Sequence, residues 1–288
     1  METVELLKKV RRIEIKARGL SRHIFAGQYH SAFKGRGIAF SEVREYQYGD
    51  DIRNIDWNVT ARFNHPYVKV YEEERELTVM LIVDVSGSGM FGTTSAFKRE
   101  IMTEIAAVLS FSAILNNDKT GVIFFSNKVE KIIRPQKGRK HILRIIRELL
   151  DFEPENNSTN LNEPLRYLTN AIRKRCTAFI ISDFIAPDFE ESLRIAANKH
   201  DIAALKIFDP AEKMIPDLGL IRVYDPETGL EKWVDTSLKK VRDEYSAWWQ
   251  RHADTIQNVF RKAGVDSAWI STGEDYVQPL IRFFKKRQ

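Results

Sequence analysis

A single cysteine, Cys176, stands in 288 residues. That excludes a disulfide framework and a thiolate metal cluster, and it points to a reducing compartment, the cytoplasm by default. Paired histidines are also missing: His23, His30, His65, His141, His200 and His252 show no metal-ligand spacing. No apolar run approaches the ~18 residues a membrane-spanning helix needs. The amino-terminal METVELLKKVRRIEIKARG alternates charge with Val, Leu and Ile where a signal peptide would be apolar. Charge of one sign is scarce, since the net +5 is small against 45 basic and 40 acidic residues. Two basic clusters carry much of it: Lys8, Lys9, Arg11, Arg12, Lys16 and Arg18, then Lys285, Lys286 and Arg287. Neither has interleaved aromatics or a zinc module, so no nucleic-acid partner is expected. Solvated helix faces are the plain reading, an anionic surface or acidic partner the other. Internal repeats and low-complexity segments are absent.

What is present is an ordinary globular composition, 43% hydrophobic and 30% charged, long enough for one large α/β domain with a smaller appendage. The stretch LTVMLIVDVSGSGMFGT, residues 77–93, organises the rest. Its apolar first half reads as a strand buried on both faces. It ends at Asp84, followed by Ser86, Gly87, Ser88 and Gly89, with an amphipathic helix expected from about Ser95. A carboxylate at a strand's carboxyl end and two serines at spacing two offer three oxygens to one hard cation such as Mg²⁺. Other readings compete. A P-loop has its glycines at Gly87 and Gly92, but Thr93 stands where the phosphate-binding lysine belongs. An aspartyl-phosphate enzyme would use Asp84 as nucleophile, yet Ser86 occupies the place of its general acid. A plain glycine-rich turn with a capping serine is the third.

Residues 1–20 read as an amphipathic helix ended by Gly19. Phe33 to Arg75 reads as loop-rich, with an edge strand at Val68 and Val70 and charged groups (Arg44, Asp50, Asp56, Arg62 among them) pairing around Trp57. Residues 1–76 are thus expected to form an amino-terminal appendage and 77–288 the main domain. From Leu77 strands alternate with helices, which predicts a doubly wound, mostly parallel sheet covered on both faces. Phe97, Ile101, Ile105, Val108 and Leu115 mark the first helix's apolar stripe. GVIFFS and KVEKIIR form a hairpin turning at Asn127. A helix over Arg139–Leu150 turns Ile142, Ile145, Ile146 and Leu149 inward. TAFIISD and IAALKIF are buried strands, and 219–235 is a hairpin insertion turning at Asp225-Pro226 and Gly229. The helix Ser237–Gly264 is expected to bury Val241, Tyr245, Trp248, Ile256 and Val259, with its tryptophans covering the sheet. VDSAWIS is the last strand.

Open parallel sheets bind ligands beyond their strands' carboxyl ends, where strand order reverses. Asp84 and Asp183 both end strongly apolar strands, and the polar loop around Thr159 precedes a helix that can lie over the same end. Ser86, Ser88 and Thr159 then supply hydroxyls and the two aspartates supply charge. Two carboxylates balance one divalent cation and leave a position for an outside oxygen. DVSGSG, STNLNEPL and FIISD resemble, in order, the three motifs of the von Willebrand factor A domain's metal-ion-dependent adhesion site. The resemblance implies Asp84, Ser86, Ser88, Thr159 and Asp183 as metal residues, with a partner's carboxylate completing the shell. Asn157-Ser158 and Phe184 stand where that family often has glycines. GRGIAFSEVREYQYGDDIRNIDWNVTAR and VKVYEEER, leading into the metal-site strand, resemble the bacterial family catalogued as domain of unknown function 58, over roughly residues 15–240. That resemblance implies a von Willebrand factor A-like protein associated with AAA+ ATPases of the MoxR class, which are thought to act as chaperones.

The expected function is a non-enzymatic, Mg²⁺-dependent interaction module, with Mn²⁺ or Ca²⁺ as alternative ions. It would be an adaptor or co-chaperone presenting its open metal position to an acidic side chain. The alternatives are a metal-assisted phosphoryl-transfer or hydrolytic enzyme using the same crevice, and a structural protein with an empty site.

Overall fold

The computed structural model describes residues 3–25, 39–72, 77–90, 97–224 and 231–287. In chain order they form α1 (Thr3–Phe25), β1 (Ala39–Glu45), α2 (Trp57–Phe63), β2 (Tyr67–Glu72), β3 (Thr78–Asp84), α3 (Lys98–Leu115), β4 (Lys119–Phe125) and β5 (Val129–Gln136). There follow α4 (Arg139–Asp151), α5 (Asn162–Ala171), β6 (Thr177–Ser182), α6 (Glu190–Lys199), β7 (Asp201–Phe208), β8 (Leu220–Tyr224), β9 (Glu231–Asp235), α7 (Lys239–Lys262), β10 (Asp266–Ser271) and α8 (Val277–Lys286).

Six strands make the central sheet in the order β10-β7-β6-β3-β4-β5. All neighbours are parallel except β5, which returns antiparallel beside β4 from the hairpin at Asn127. The apolar runs explain the arrangement: β3 is buried from Val79 to Asp84, and all of β6 is buried. Only a strand covered on both faces needs side chains of that kind at every position. Residue parity divides the two layers. Met80, Ile82, Ile123, Ile180 and Ala204 face Leu165 and Leu168 of α5, Leu193 of α6 and Phe260 of α7. The opposite parity faces the layer of α1, α3, α4 and α8, where Phe179 meets Phe284 with ring centroids 6.0 Å apart. Gly121 of β4 is required by contact, because a Cβ there would lie 2.8 Å from Met80 Sδ and 2.9 Å from Pro135 Cγ.

Several expectations change. Helix α1 runs through Gly19 instead of ending there, and it belongs to the larger unit, not to the appendage. Its stripe of Leu6, Val10, Ile13 and Ala17 is buried, and Lys16 and Glu14 reach Glu104 and Arg139 on the neighbouring helices. The second compact unit is residues 35–77 alone. It holds more regular structure than expected: β1 and β2 pair antiparallel, and α2 is capped by Asp56, whose carboxylate accepts from Asn58 N and Val59 N. Arg44 pairs with Asp50 at 2.7 Å and Lys69 with Asp56 at 3.5 Å. Trp57 is not their centre, being 70% exposed.

In α3 the stripe holds at Ile101, Ile105 and Val108, whereas Phe97 and Leu115 are exposed at its two ends. The four inward residues of α4 are all buried. Helix α7 buries Ala253, Ile256 and Phe260, all in its second half; Trp248 is exposed, and Trp249 covers only part of the sheet edge, against Phe208 and Trp269. Strands β8 and β9 form the expected hairpin. The turn at Asp225, Pro226 and Gly229, the glycines Gly35 and Gly37, and Thr93, Thr94 and Ser95 lie outside the described residues. No helix among the described residues is long and apolar enough to cross a membrane.

Candidate functional site

From β3 the chain steps to β4 and β5 on one side, then returns to place β6, β7 and β10 on the other. Strand order therefore reverses between β3 and β6, the place where such sheets leave a crevice. Asp84 ends β3, and Asp183 immediately follows β6. Both are buried, with 2% and 0% exposure. Register sets Val83 opposite Ile181, so Ser182 comes level with Asp84; its hydroxyl donates to Asp84 Oδ2 at 2.6 Å. Asp84 Oδ1 accepts from Ser86 N at 3.0 Å, which bends the chain into the serine loop.

Backbone bonds hold the Thr159 loop in place. Gly87 N donates to Asn157 O at 3.0 Å, and Asn160 N donates to Ser126 O at 2.9 Å beyond the end of β4. Thr159 is thereby buried against the serines: its Oγ1 donates to Ser86 Oγ at 2.9 Å, and Ser86 Oγ lies 3.1 Å from Ser88 Oγ. Ser86 and Thr159 are each 3% exposed, and Ser88 is half-buried.

Four of the five expected residues, Asp84, Ser86, Ser88 and Thr159, are thus linked through direct hydrogen bonds. Asp183 is close enough for its charge to act on Asp84, but its own carboxylate is taken. Lys98, the first residue of α3, donates to Asp183 Oδ2 at 2.7 Å and to Glu212 Oε1 at 2.7 Å. Ile185 N donates to Asp183 Oδ1 at 3.1 Å. Lys206 of β7 donates to the Asp183 carbonyl oxygen, its ammonium 5.3 Å from the Trp269 ring centroid. Lys98 and Lys206 are 1% and 2% exposed.

The two aspartates are electrostatically opposite. Burial, and then the neighbouring Asp183 charge, push Asp84 up to about 7 against the hydrogen bonds from Ser182 and Ser86. Burial acts on Asp183 in the same sense, but Lys98 and Lys206 outweigh it and hold its carboxyl below the ordinary aspartate value. Burial lowers Lys206 to about 8. For Lys98 burial is overcome by Asp183 and Glu212, and its ammonium is raised. The expectation that two uncompensated carboxylates balance one divalent ion is corrected here: Asp183 already has its counter-cation, and Asp84 has none among the described groups that act on it.

Oxygens in adjacent positions of an octahedron with ~2.1 Å bonds lie ~3.0 Å apart. The two hydroxyl separations, 2.9 and 3.1 Å, fit that edge. Three hydroxyls beside a buried, uncompensated carboxylate fit a hard cation by donor type, spacing and charge. No cluster of three or more His, Cys, Asp or Glu set to hold a metal occurs among the described residues, so a softer N- or S-liganded centre has no counterpart there.

Sequence reasoning missed Lys98, Lys206, Glu212 and Ser182. Lys206 left a signal, a lone cation inside the apolar run IAALKIF; a burial-demanding strand interrupted by lysine calls for a buried partner. Among the described histidines, His252 comes closest to this network. It stacks on Trp248 at 5.5 Å, and burial together with Lys206 holds its imidazole below the ordinary value, against Asp183 and the Phe184 backbone. Phe184 occupies the left-handed region, φ 55°, where a glycine is common in the resembled motif. Its ring is fully buried, edge-on to Phe260 at 4.9 Å.

A family model described as "Protein of unknown function DUF58" matches residues 42–255. The chain belongs to this family. The DUF58 chain is 28% identical to the uncharacterized protein Rv1480 of Mycobacterium tuberculosis over 289 residues, covering 99% of this chain and 90% of that protein. It is 28% identical to YeaD of Bacillus subtilis over 122 residues, covering 42% of this chain and 27% of YeaD. Among solved structures, BatB from Bacteroides thetaiotaomicron aligns with 14% identity and TM-score 0.45, covering 73% of this chain and 98% of that one. The SpRpn10 VWA domain aligns with 11% identity and TM-score 0.40, covering 71% and 93%. The strand order and the reversal at β3/β6 make the DUF58 fold von Willebrand factor A-like.

Proposed function

We propose that this DUF58 chain is a non-enzymatic, metal-dependent protein-interaction module that engages a carboxylate of its partner. The observation that carries the reading is the hydroxyl triad of Ser86, Ser88 and Thr159 at octahedral-edge spacing, beside a buried Asp84 that has no counter-cation among the described groups that act on it. Asp84, Ser86, Ser88 and Thr159 would hold Mg²⁺ (or Mn²⁺ or Ca²⁺), with Asp183 acting through its remaining lone pairs or a water. When bound, the ion supplies a Lewis-acidic position for an outside carboxylate oxygen. The chain's own contribution is orientation: Ser182 and Ser86 N fix the Asp84 carboxylate, and the Asn157 and Asn160 backbone bonds fix Thr159. The motif resemblance supports a MoxR-type AAA+ ATPase as the partner, with the chain as adaptor or co-chaperone.

Titration calorimetry with Mn²⁺ and Mg²⁺ tests the site. Binding by the wild-type chain and at least a hundredfold loss in Asp84→Ala, at unchanged circular dichroism, is the expected outcome. Retention of a purified MoxR-type ATPase on the immobilised chain should need the divalent ion and fail with chelator. Complex formation that survives both chelation and Asp84→Ala would refute the metal bridge.

A second reading, a metal-assisted phosphoryl-transfer or hydrolytic enzyme, draws on Asp84, raised to about 7 and so in the range of a general base, and on His252, whose imidazole burial lowers beside the same charges. Turnover of phosphoester substrates with Mn²⁺, lost in Asp84→Ala, would favour it over the adaptor.

A further inference from the structure

The central sheet has two edges, and the chain treats them differently. At one, β5 carries Pro135, which has no N–H to offer, and its register against β4 breaks twice. At the other, β10 keeps six unbroken positions against β7 and reads DSAWIS, without proline. Thr272 N donates to Phe208 O at 2.9 Å, which fixes the phase of that ladder. Backbone groups alternate sides along a strand. Asp266, Ala268 and Ile270 therefore turn theirs toward β7, and Ser267 and Trp269 turn theirs to the open side.

A groove of about 360 Å³ runs along this edge. Residues 266–269 all border it, and successive side chains point to opposite faces, so it is the strand's edge that touches all four. The opposite wall is α8, with Pro279, Arg282, Phe283 and Lys286. Helix α8 turns back along β10, so Arg287 at its end lies 3.6 Å from Asp266 at the strand's start. Arg287 is engaged by Asp266 and Asp201. Arg282 and Lys286, one turn apart and both exposed, have no ion-pair partner among the described residues. Glu274, the other carboxylate on the rim, stands past the far end of β10. On the opposite face Trp269 is half-buried against Trp249 and Gln257 of α7.

We propose that β10 is a docking edge for an extended acidic segment of another protein, which adds to the sheet as a seventh strand. Main-chain hydrogen bonds to Ser267 and Trp269 attach it. Its side chains alternate between the faces, so acidic residues at every second position meet Arg282 and Lys286, and apolar ones between them meet Trp269. A second copy of this chain fits less well. Two β10 strands paired about a twofold axis bring the same two cations of each α8 to one seam. The site lies apart from the metal reading: the groove touches none of Asp84, Ser86, Ser88 or Thr159, and the contact needs no ion.

The test uses the full chain in EDTA with a fluorescein-labelled Glu-Val-Glu-Val-Glu-Val peptide, and Lys-Val-Lys-Val-Lys-Val as the charge control. Fluorescence anisotropy should show saturable binding of the acidic peptide and none of the basic one. Hydrogen exchange followed by NMR should show the Ser267 and Trp269 amides slowed by at least about tenfold when the acidic peptide is bound. Ser267→Pro removes an outward N–H while leaving the β7 ladder intact, and should abolish binding. The double variant Arg282→Glu, Lys286→Glu alters exposed helix positions only and should weaken binding by at least about tenfold. Circular dichroism establishes that each variant is folded. Binding that persists in folded Ser267→Pro, equal binding of the basic peptide, or unprotected Ser267 and Trp269 amides at millimolar peptide would overturn the proposal. Sedimentation showing a dimer that Ser267→Pro dissociates would assign the edge to a second copy and overturn the acidic partner. With EDTA present throughout, no outcome depends on Mn²⁺, so failure of the metal reading leaves this edge standing, and the reverse holds.

Discussion

Asp84 and Lys98 show how burial makes a single charge decisive. With a folded pKa of about 7 against an ordinary value of 3.8, Asp84 binds more proton in the folded chain than in the unfolded one between those values. Stability of the ion-free protein from this group is therefore present at low pH and is lost as pH rises through about 7. Asp84→Asn removes the charge and can still pair with Ser182 and Ser86 N. It should raise the melting temperature at pH 8, have little effect near pH 5, and abolish Mn²⁺ binding; thermal melts across that range check it. Asp183 runs the other way: its folded carboxyl is lowered, so its contribution is present above the ordinary aspartate range and is lost as pH falls below it. Lys98→Met leaves Asp183 and Glu212 without their shared cation. Breaking a buried pair from one side costs about 3–5 kcal/mol, so denaturant unfolding should show a loss of that order.

The elements around the site are held by details that periodicity does not carry. After β6 the chain must turn sharply, and it does so with Phe184 at φ 55°. A non-glycine residue in that region costs about 1–3 kcal/mol, whereas deleting a buried phenylalanine costs about 3–5 kcal/mol. The ring's packing on Phe260 and Phe189 therefore wins. Phe184→Gly should relieve the backbone yet destabilise the chain by about 2 kcal/mol or more, with Mn²⁺ affinity within a few-fold of wild type, as urea unfolding and calorimetry would show. Helix α1 was legible as amphipathic, but its partner was not. Gly19 reads as a stop signal, and a glycine inside a helix costs only about 1 kcal/mol. The burial of Leu6, Val10 and Ile13, at about 1.5–3 kcal/mol each, exceeds that cost several-fold. Deleting residues 1–25 should uncover the apolar faces of α3 and α4, lower the melting temperature and increase binding of a hydrophobic dye.

At the scale of the whole molecule, the doubly wound sheet was readable because strands buried on both faces admit almost no polar residue, and β3, β4, β6 and β7 meet that demand in plain runs. The segment 35–77 was less readable. Its short capped helix exposes Trp57 and Phe63, and the turn before it exposes Ile52, so hydrophobic patterning carries little information about the segment. Helix α7 misled for a related reason: aromatic content suggests core, yet Trp248 is 44% exposed. If the proposed metal bridge to a MoxR-type ATPase is right, that ATPase, retained with Mg²⁺, should be released by chelator and by Asp84→Ala alike, and a pull-down with the purified proteins reads it directly.

The sequence by itself determined the strand runs, the two aspartates at their ends, and the three hydroxyls with the order and spacing that bring them to one crevice. Those are local properties, set by what a buried strand and a tight loop tolerate. Only the tertiary structure decided the charge of that crevice. Lys98 comes from a helix far along the chain from the strand and following turn that supply Lys206 and Glu212, and no periodicity records which carboxylate a buried ammonium will meet. Because a site's affinity for an ion depends on that sum, its donor atoms could be read one by one along the chain, while its electrical balance exists only once the chain is folded.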